Sequence, residues 1–193
     1  FRLPNTFRRL FAEGTFNAAF VPSYTSEYSS EVTSAKKFAD EVFTFLLIIL
    51  LVIVFLAEIF TPFLVYIIAP GFYADSTKFE LATLYTRITF PFLLFVSLSS
   101  FISAILNSHN KFAAASAAPI ILNLFLITSL GFSIFFEKEI AKSLCYAVSL
   151  SGVVQLIFLI FFAKKFYKPS FYFKKKVSEK VNFFLKKLLP SIL

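Results

Sequence analysis

Long apolar runs alternate with short polar segments along this chain, and their spacing predicts membrane-crossing helices. The first, Phe43 to Ala69, covers 27 residues, about 40 Å at helical rise against a hydrocarbon core of roughly 30 Å. It can therefore span with tilt or a kink, with Glu58 and Pro62 interrupting it and Pro70-Gly71 as its turn signal. Leu84 to Leu106 follows with Pro91 inside, and the polar Asn107-Ser108-His109-Asn110-Lys111 then predicts a hairpin into Phe112 to Phe136. The small-residue run Ala113 to Ala118 would let a neighbouring backbone approach closely. Ile140 to Ala163 is the next run, with Gly152 and Gln155 at its middle, and a helix from about residue 177 is cut off at Leu193.

The opening segment has a different pattern. Between Pro4 and about Glu27, Phe7, Leu10, Phe11 and Ala18 fall at helical spacing while Arg8, Arg9 and Glu13 take other parts of the same turns. This predicts a helix with a polar stripe over 4–27, kinked or ended at Pro22. The whole chain, 1–193, then reads as one all-α transmembrane bundle. It has about five to six membrane helices, over 4–27, 43–69, 84–106, 112–136 and 140–163, plus the start of another near 177.

Charge orients this bundle. Nine lysines between Lys164 and Lys187 place that segment in the cytoplasm by the positive-inside rule. Counting back, Lys36-Lys37 and His109 to Lys111 become cytoplasmic, whereas the mixed-sign segments Asp75 to Glu80 and Glu137 to Lys142 fall outside.

Composition agrees: 58% hydrophobic and 16% charged residues, with a mean hydropathy of +0.79, leave too little polar surface for a soluble domain. The net charge of +8 does not indicate nucleic acid, because most of the excess sits in one late segment beside apolar runs and the 30 Phe lie mostly inside those runs. The single cysteine, Cys145, cannot form an internal disulfide. The chain has no Met and opens on Phe1-Arg2-Leu3, without a signal peptide; it is expected to be a fragment.

Enzyme signatures are lacking. One His permits no paired-His metal site, and no G-x-x-x-x-G-K-S/T loop is present. No catalysis, cofactor or metal is therefore expected, and His109 is expected to be a solvated turn residue. The informative constellation is Arg8, Arg9 and Glu13, since charges at membrane depth cost roughly 2.5 to 3.5 kcal/mol each unless they face a cavity or one another. Arg9 and Glu13 can pair at i,i+4; Arg8 points about 100° away and has no local partner, and its guanidinium fork suits a phosphate or pyrophosphate. Spacing alone fits an interfacial helix in the headgroup layer equally well. Glu58, close to Pro62, is a candidate cation or proton site, or an acid reaching water near the outer end of an overlong helix. Arg87 is expected to snorkel, and Asn123 and Gln155 to hydrogen-bond between helices.

The segment Leu3-Pro4-Asn5-Thr6-Phe7-Arg8-Arg9-Leu10-Phe11-Ala12-Glu13-Gly14-Thr15-Phe16-Asn17-Ala18-Ala19-Phe20-Val21-Pro22 resembles the second transmembrane helix of MurJ/MviN proteins. Ala69-Pro70-Gly71-Phe72, Ile88-Thr89-Phe90-Pro91, Ala104-Ile105-Leu106-Asn107, Ala118-Pro119 with Asn123, and Gly152-Val153-Val154-Gln155-Leu156 are similar stretches in the family's order. The resemblance covers essentially the whole chain, from that second helix into the start of the seventh.

The resemblance implies part of a fourteen-helix, two-bundle transporter of the multidrug/oligosaccharidyl-lipid/polysaccharide exporter superfamily. Its implied function is to flip lipid II, the peptidoglycan precursor, across the bacterial inner membrane by alternating access. It further implies that Arg8, with Arg9 and Glu13 beside it, meets the pyrophosphate of lipid II. Glu58 matches no functional position of the family. An ion-coupled drug or polysaccharide exporter with Glu58 as coupling residue, and a non-transporting membrane scaffold, are the competing readings.

Overall fold

The computed structural model describes residues 15–172 together with Ser178, Val181, Asn182 and Phe184. Every long element among them is an α-helix: α1 (Thr15–Ser30), α2 (Val32–Ile59), α3 (Thr61–Ile68), α4 (Ser76–Thr89), α5 (Phe92–Ser108), α6 (Phe112–Phe135) and α7 (Ile140–Ala163), with a 3₁₀ turn at Pro70–Ala74. Four spans are long and apolar enough to cross a membrane: α2, α4 and α5 taken together, α6, and α7. Large apolar side chains such as Phe55, Ile127, Phe135, Ile157 and Phe161 point outward, as a lipid-facing surface requires.

Several helix limits differ from the sequence expectation. Pro22 does not end the first helix, which runs on to Ser30. The hydroxyls of Ser23, Thr25, Ser29 and Ser30 donate to carbonyls four residues back, so this Ser/Thr-rich stretch satisfies its polar groups within the helix and extends it beyond the expected limit at Glu27. Lys36 and Lys37 are not in a loop either, because α2 starts at Val32. Ala35, Phe38, Ala39 and Val42 give that first part a buried face at helical spacing. The apolar run ending at Ala69 divides at Phe60 into α2 and α3. The helix expected from about 177 lies mostly outside the described residues; Val181, Asn182 and Phe184 are helical, and Val181 and Phe184 are buried.

The run containing Pro91 is two helices, not one. Pro91 has no N–H to offer the previous turn, and α4 gives way to α5 around it. From α7, the Ser149 hydroxyl donates to the backbone carbonyl of Ile88 at this break. One turn on, Gly152 lets α5 approach: a Cβ there would stand 2.8 Å from a ring carbon of Phe92 and 3.1 Å from the Cβ of Phe95. α7 thereby becomes the main partner of both α5 and α6, a role the expected hairpin of the two preceding helices did not anticipate.

The turns follow from local chemistry. Asn110, with φ 58°, closes α5: its N–H reaches the Asn107 carbonyl at 3.0 Å, and Lys111 N–H reaches that of Leu106 at 2.9 Å. Asn tolerates the left-handed conformation this helix ending needs. Asp75 caps α4, accepting from the Lys78 N–H at 3.1 Å and pairing with Lys78 Nζ at 2.9 Å.

The core is largely aromatic. Phe20 and Phe101 are fully buried with ring centres 5.1 Å apart, and Phe16, Tyr24, Phe38 and Phe184 surround Phe20. These contacts join α1, α2, α5 and the last described helical residues.

Candidate functional site

Arg8, Arg9 and Glu13 lie outside the described residues. The structure does describe α1 from Thr15, where Phe16, Phe20 and Tyr24 line one face and are buried against the core.

Glu58 sits two residues before the break at Phe60, half-buried, and its Oε1 is buried without a hydrogen-bond partner. Arg87 in the last turn of α4 acts on it electrostatically. The helix holding Arg87 begins at Ser76, so this cation stands about three turns in, in the last turn beside the break at Pro91, and not in the first, outer turn expected of it. An acid and a base thus occupy the two places where apolar spans divide. Asn123 is exposed and not between helices. Gln155 is buried, yet its Nε2 has no hydrogen-bond partner, unlike the interhelical bond expected of it. Among the described residues, no group of three or more His, Cys, Asp or Glu could hold a metal ion.

A polar cluster at the start of α2 was not anticipated. Asp40 and Thr44 are buried there, and Glu41 nearly so. Asp40 Oδ1 accepts the Tyr167 hydroxyl at 2.8 Å and the Ser170 N–H at 3.2 Å. Thr44 Oγ1 accepts the Tyr172 N–H at 3.0 Å, and Glu41 Oε1 the Ser178 N–H at 2.5 Å. The segment after α7 is therefore fastened to α2 through its backbone. Burial, reinforced by the neighbouring Asp40 charge, holds the Tyr167 hydroxyl well above the usual phenol range, so it remains a donor.

His109 is also not a solvated turn residue. Its ring stacks on Phe166, centres 4.6 Å apart at 21°, and meets Tyr24 and Tyr28 edge-on. Its Nε2 lies 3.3 Å from the Tyr24 hydroxyl, and desolvation lowers its pKa below the ordinary value. These contacts bring the end of α1, the turn after α5 and the segment after α7 to one end of the bundle, where Asp40 and Glu41 also lie. The positive-inside rule assigns these same segments to one side of the membrane.

A sequence profile of the family described as lipid II flippase MurJ matches residues 1–193. The chain belongs to this MurJ family. It is 43% identical over 167 residues to the probable lipid II flippase MurJ of Rickettsia prowazekii, covering 86% of this chain and 32% of the relative. With the probable lipid II flippase MurJ of Rhizobium tropici it shares 45% identity over 161 residues, 81% of this chain and 30% of the relative. The Buchnera aphidicola relative from Schizaphis graminum, of the same description, is 38% identical over 205 residues, covering all of this chain and 38% of the relative. The chain thus spans about a third of the length of these curated relatives. Membership and the four apolar spans together make it part of an integral membrane protein.

Proposed function

We propose that the complete protein flips lipid II, the lipid-linked peptidoglycan precursor, from the cytoplasmic to the periplasmic face of the bacterial inner membrane for cell wall synthesis. The observation that carries this reading is the family match along all of 1–193, with relatives themselves described as lipid II flippases. Residues 1–193 supply most of one bundle, and a second bundle completes the cavity between them. Alternating access then requires the ligand to bind the two orientations with different free energies.

Arg8 is the group assigned to the pyrophosphate. A guanidinium offers two parallel N–H donors to a phosphate edge, which an ammonium cannot reproduce. Arg9 and Glu13, at i,i+4, balance one another and leave the Arg8 charge for the ligand. Glu58 is proposed as an ion- or proton-responsive group, supported by its unpartnered Oε1 and the nearby Arg87.

The test uses the complete protein in cells depleted of their own flippase. Wild type rescues growth; Arg8→Ala does not, although it inserts to the same level, and Arg8→Lys rescues poorly. Full rescue by Arg8→Ala removes Arg8 from the site, and failure of the wild type rejects the flippase reading.

A further inference from the structure

Between α5, α6 and α7 lies a cavity of about 300 Å³ in which the polar side chains outnumber their partners. Ser99, Ser103 and Asn107 line it from α5 at i, i+4 and i+8, one face of that helix. Ser116 faces it from α6 and Gln155 from α7. Gln155 and Ser99 are each only 4% exposed, and Gln155 Nε2, Ser99 Oγ and Asn107 Oδ1 make no hydrogen bond. Pro119, also at the wall, has no N–H for the carbonyl of Ala115 four residues back, and Ala115 lines the same space.

Buried polar groups without partners are costly, and native structures satisfy them with protein or with ordered water. This cavity is polar and roomy enough for several waters. No Asp, Glu, Lys, Arg or His lines it, so a bare ion would enter without a counter-charge. A space of this size also does not close around a dehydrated ion at coordination distance. The lining offers donors and acceptors together, which suits a neutral hydroxyl. Phe112, Ser116 and Pro119, all exposed, line it at i, i+4 and i+7 of α6, so the cavity opens along this stripe, which starts at the end that carries His109 and Lys111. From Asn107 to Ser99 the polar face runs about 12 Å along the helix.

The geometry points to an intramembrane binding site for neutral hydroxyl groups, reached from the basic end of the bundle and held by Gln155, Ser99 and Asn107. The hydroxyls belong either to water or to a polyhydroxyl solute. The site does not depend on what the complete protein transports.

The test is thiol labelling of the complete protein in membrane vesicles, with Cys145 and every other native cysteine replaced by alanine as background. Thiols react as thiolates, which form in water and are suppressed in apolar surroundings. Ser99→Cys and Ser103→Cys are compared with Ile120→Cys, whose side chain points outward from α6. Anionic and cationic methanethiosulfonates are each applied from both faces. Both cavity variants are expected to react about tenfold faster than Ile120→Cys, from the His109 face, at similar rates with either reagent and with no response to exchanging sodium for choline. Gln155→Leu slows Ser99→Cys. Protection by glucose identifies a solute's hydroxyls as the ligand; labelling that glucose leaves unchanged identifies water. Rates at the Ile120→Cys level in both variants mean a dry or protein-filled space and overturn the proposal. A strong preference for one reagent charge, or a sodium response, replaces it with an ion site. An unchanged Ser99→Cys rate in Gln155→Leu contradicts the placing of Gln155.

Discussion

The Tyr167 hydroxyl donates to Asp40 Oδ1 at 2.8 Å across 127 residues of sequence, tying the segment after α7 to the first turns of α2. Both groups are buried, Asp40 at 7% exposure and Tyr167 at 3%, so the bond is shielded from water. Tyr167→Phe deletes the donor while keeping the ring against Phe101. A hydrogen bond to a charged group contributes about 1.5–3 kcal/mol, and a loss in that range is expected in detergent unfolding. Proteolysis within 164–172 should accelerate as well. Asp40→Ala should cost more, because the Ser170 N–H loses its acceptor too. Unchanged unfolding and proteolysis in Tyr167→Phe would show that this bond does not fasten the segment.

Gly152→Ala should destabilise the bundle by about 1–3 kcal/mol through overpacking, since the added carbon meets Phe92 and Phe95. Gly71→Ala and Gly131→Ala, whose added carbons meet nothing within 4 Å, are the controls and should unfold no earlier than the parent, Gly131→Ala gaining up to about 1 kcal/mol as a helix-interior change. Equal thermal midpoints for all three would contradict the close approach of α5 and α7.

Acid should loosen the His109 cluster. Because desolvation lowers the His109 pKa on folding, the unfolded chain binds more protons between the two values. Stability therefore rises with pH there and is lost as pH falls from about 6.5 through the folded value. His109→Phe keeps a ring against Phe166 and removes the titration, so the acid-induced fall in thermal midpoint should shrink. An identical pH profile in the variant would assign the fall to another group.

Glu137 holds φ at 52° at the end of α6, where the Lys138 N–H bonds the Ser133 carbonyl at 3.0 Å. A non-glycine residue in the left-handed region costs about 1–2 kcal/mol. Glu137→Gly should raise the unfolding temperature, whereas Glu137→Val should lower it.

The membrane-crossing helices were legible because lipid demands long apolar runs, and four such spans stand in the structure. The exact helix limits were not. Ser29, Ser30 and Lys36 fell between the expected helices, yet side chain-to-backbone bonds and a buried face keep those segments helical. Pro91 signalled a disturbance, but not that Ser149, 61 residues from Ile88, would donate to the Ile88 carbonyl at this break. The Asp40 cluster was missed for a related reason. An acidic pair before an apolar run resembles a solvated helix end until the backbone N–H groups of Ser170, Tyr172 and Ser178 are known to bond to this part of α2. His109 likewise showed no partner in its neighbourhood, because Tyr24, Tyr28 and Phe166 come from distant segments. The basic motif at Arg8 and Arg9 was legible as a family signature, and its geometry lies outside the described residues.

Lipid II movement is read from the fraction of lipid II open to an externally added lipid II-cleaving enzyme. Cells depleted of their own flippase would carry the complete protein as wild type or as Arg8→Ala, inserted equally. Wild type is expected to restore cleavage at the outer face, and Arg8→Ala to leave lipid II protected inside. Cleavage restored equally by both would contradict Arg8 as the pyrophosphate ligand, and cleavage restored by neither would contradict the flippase itself.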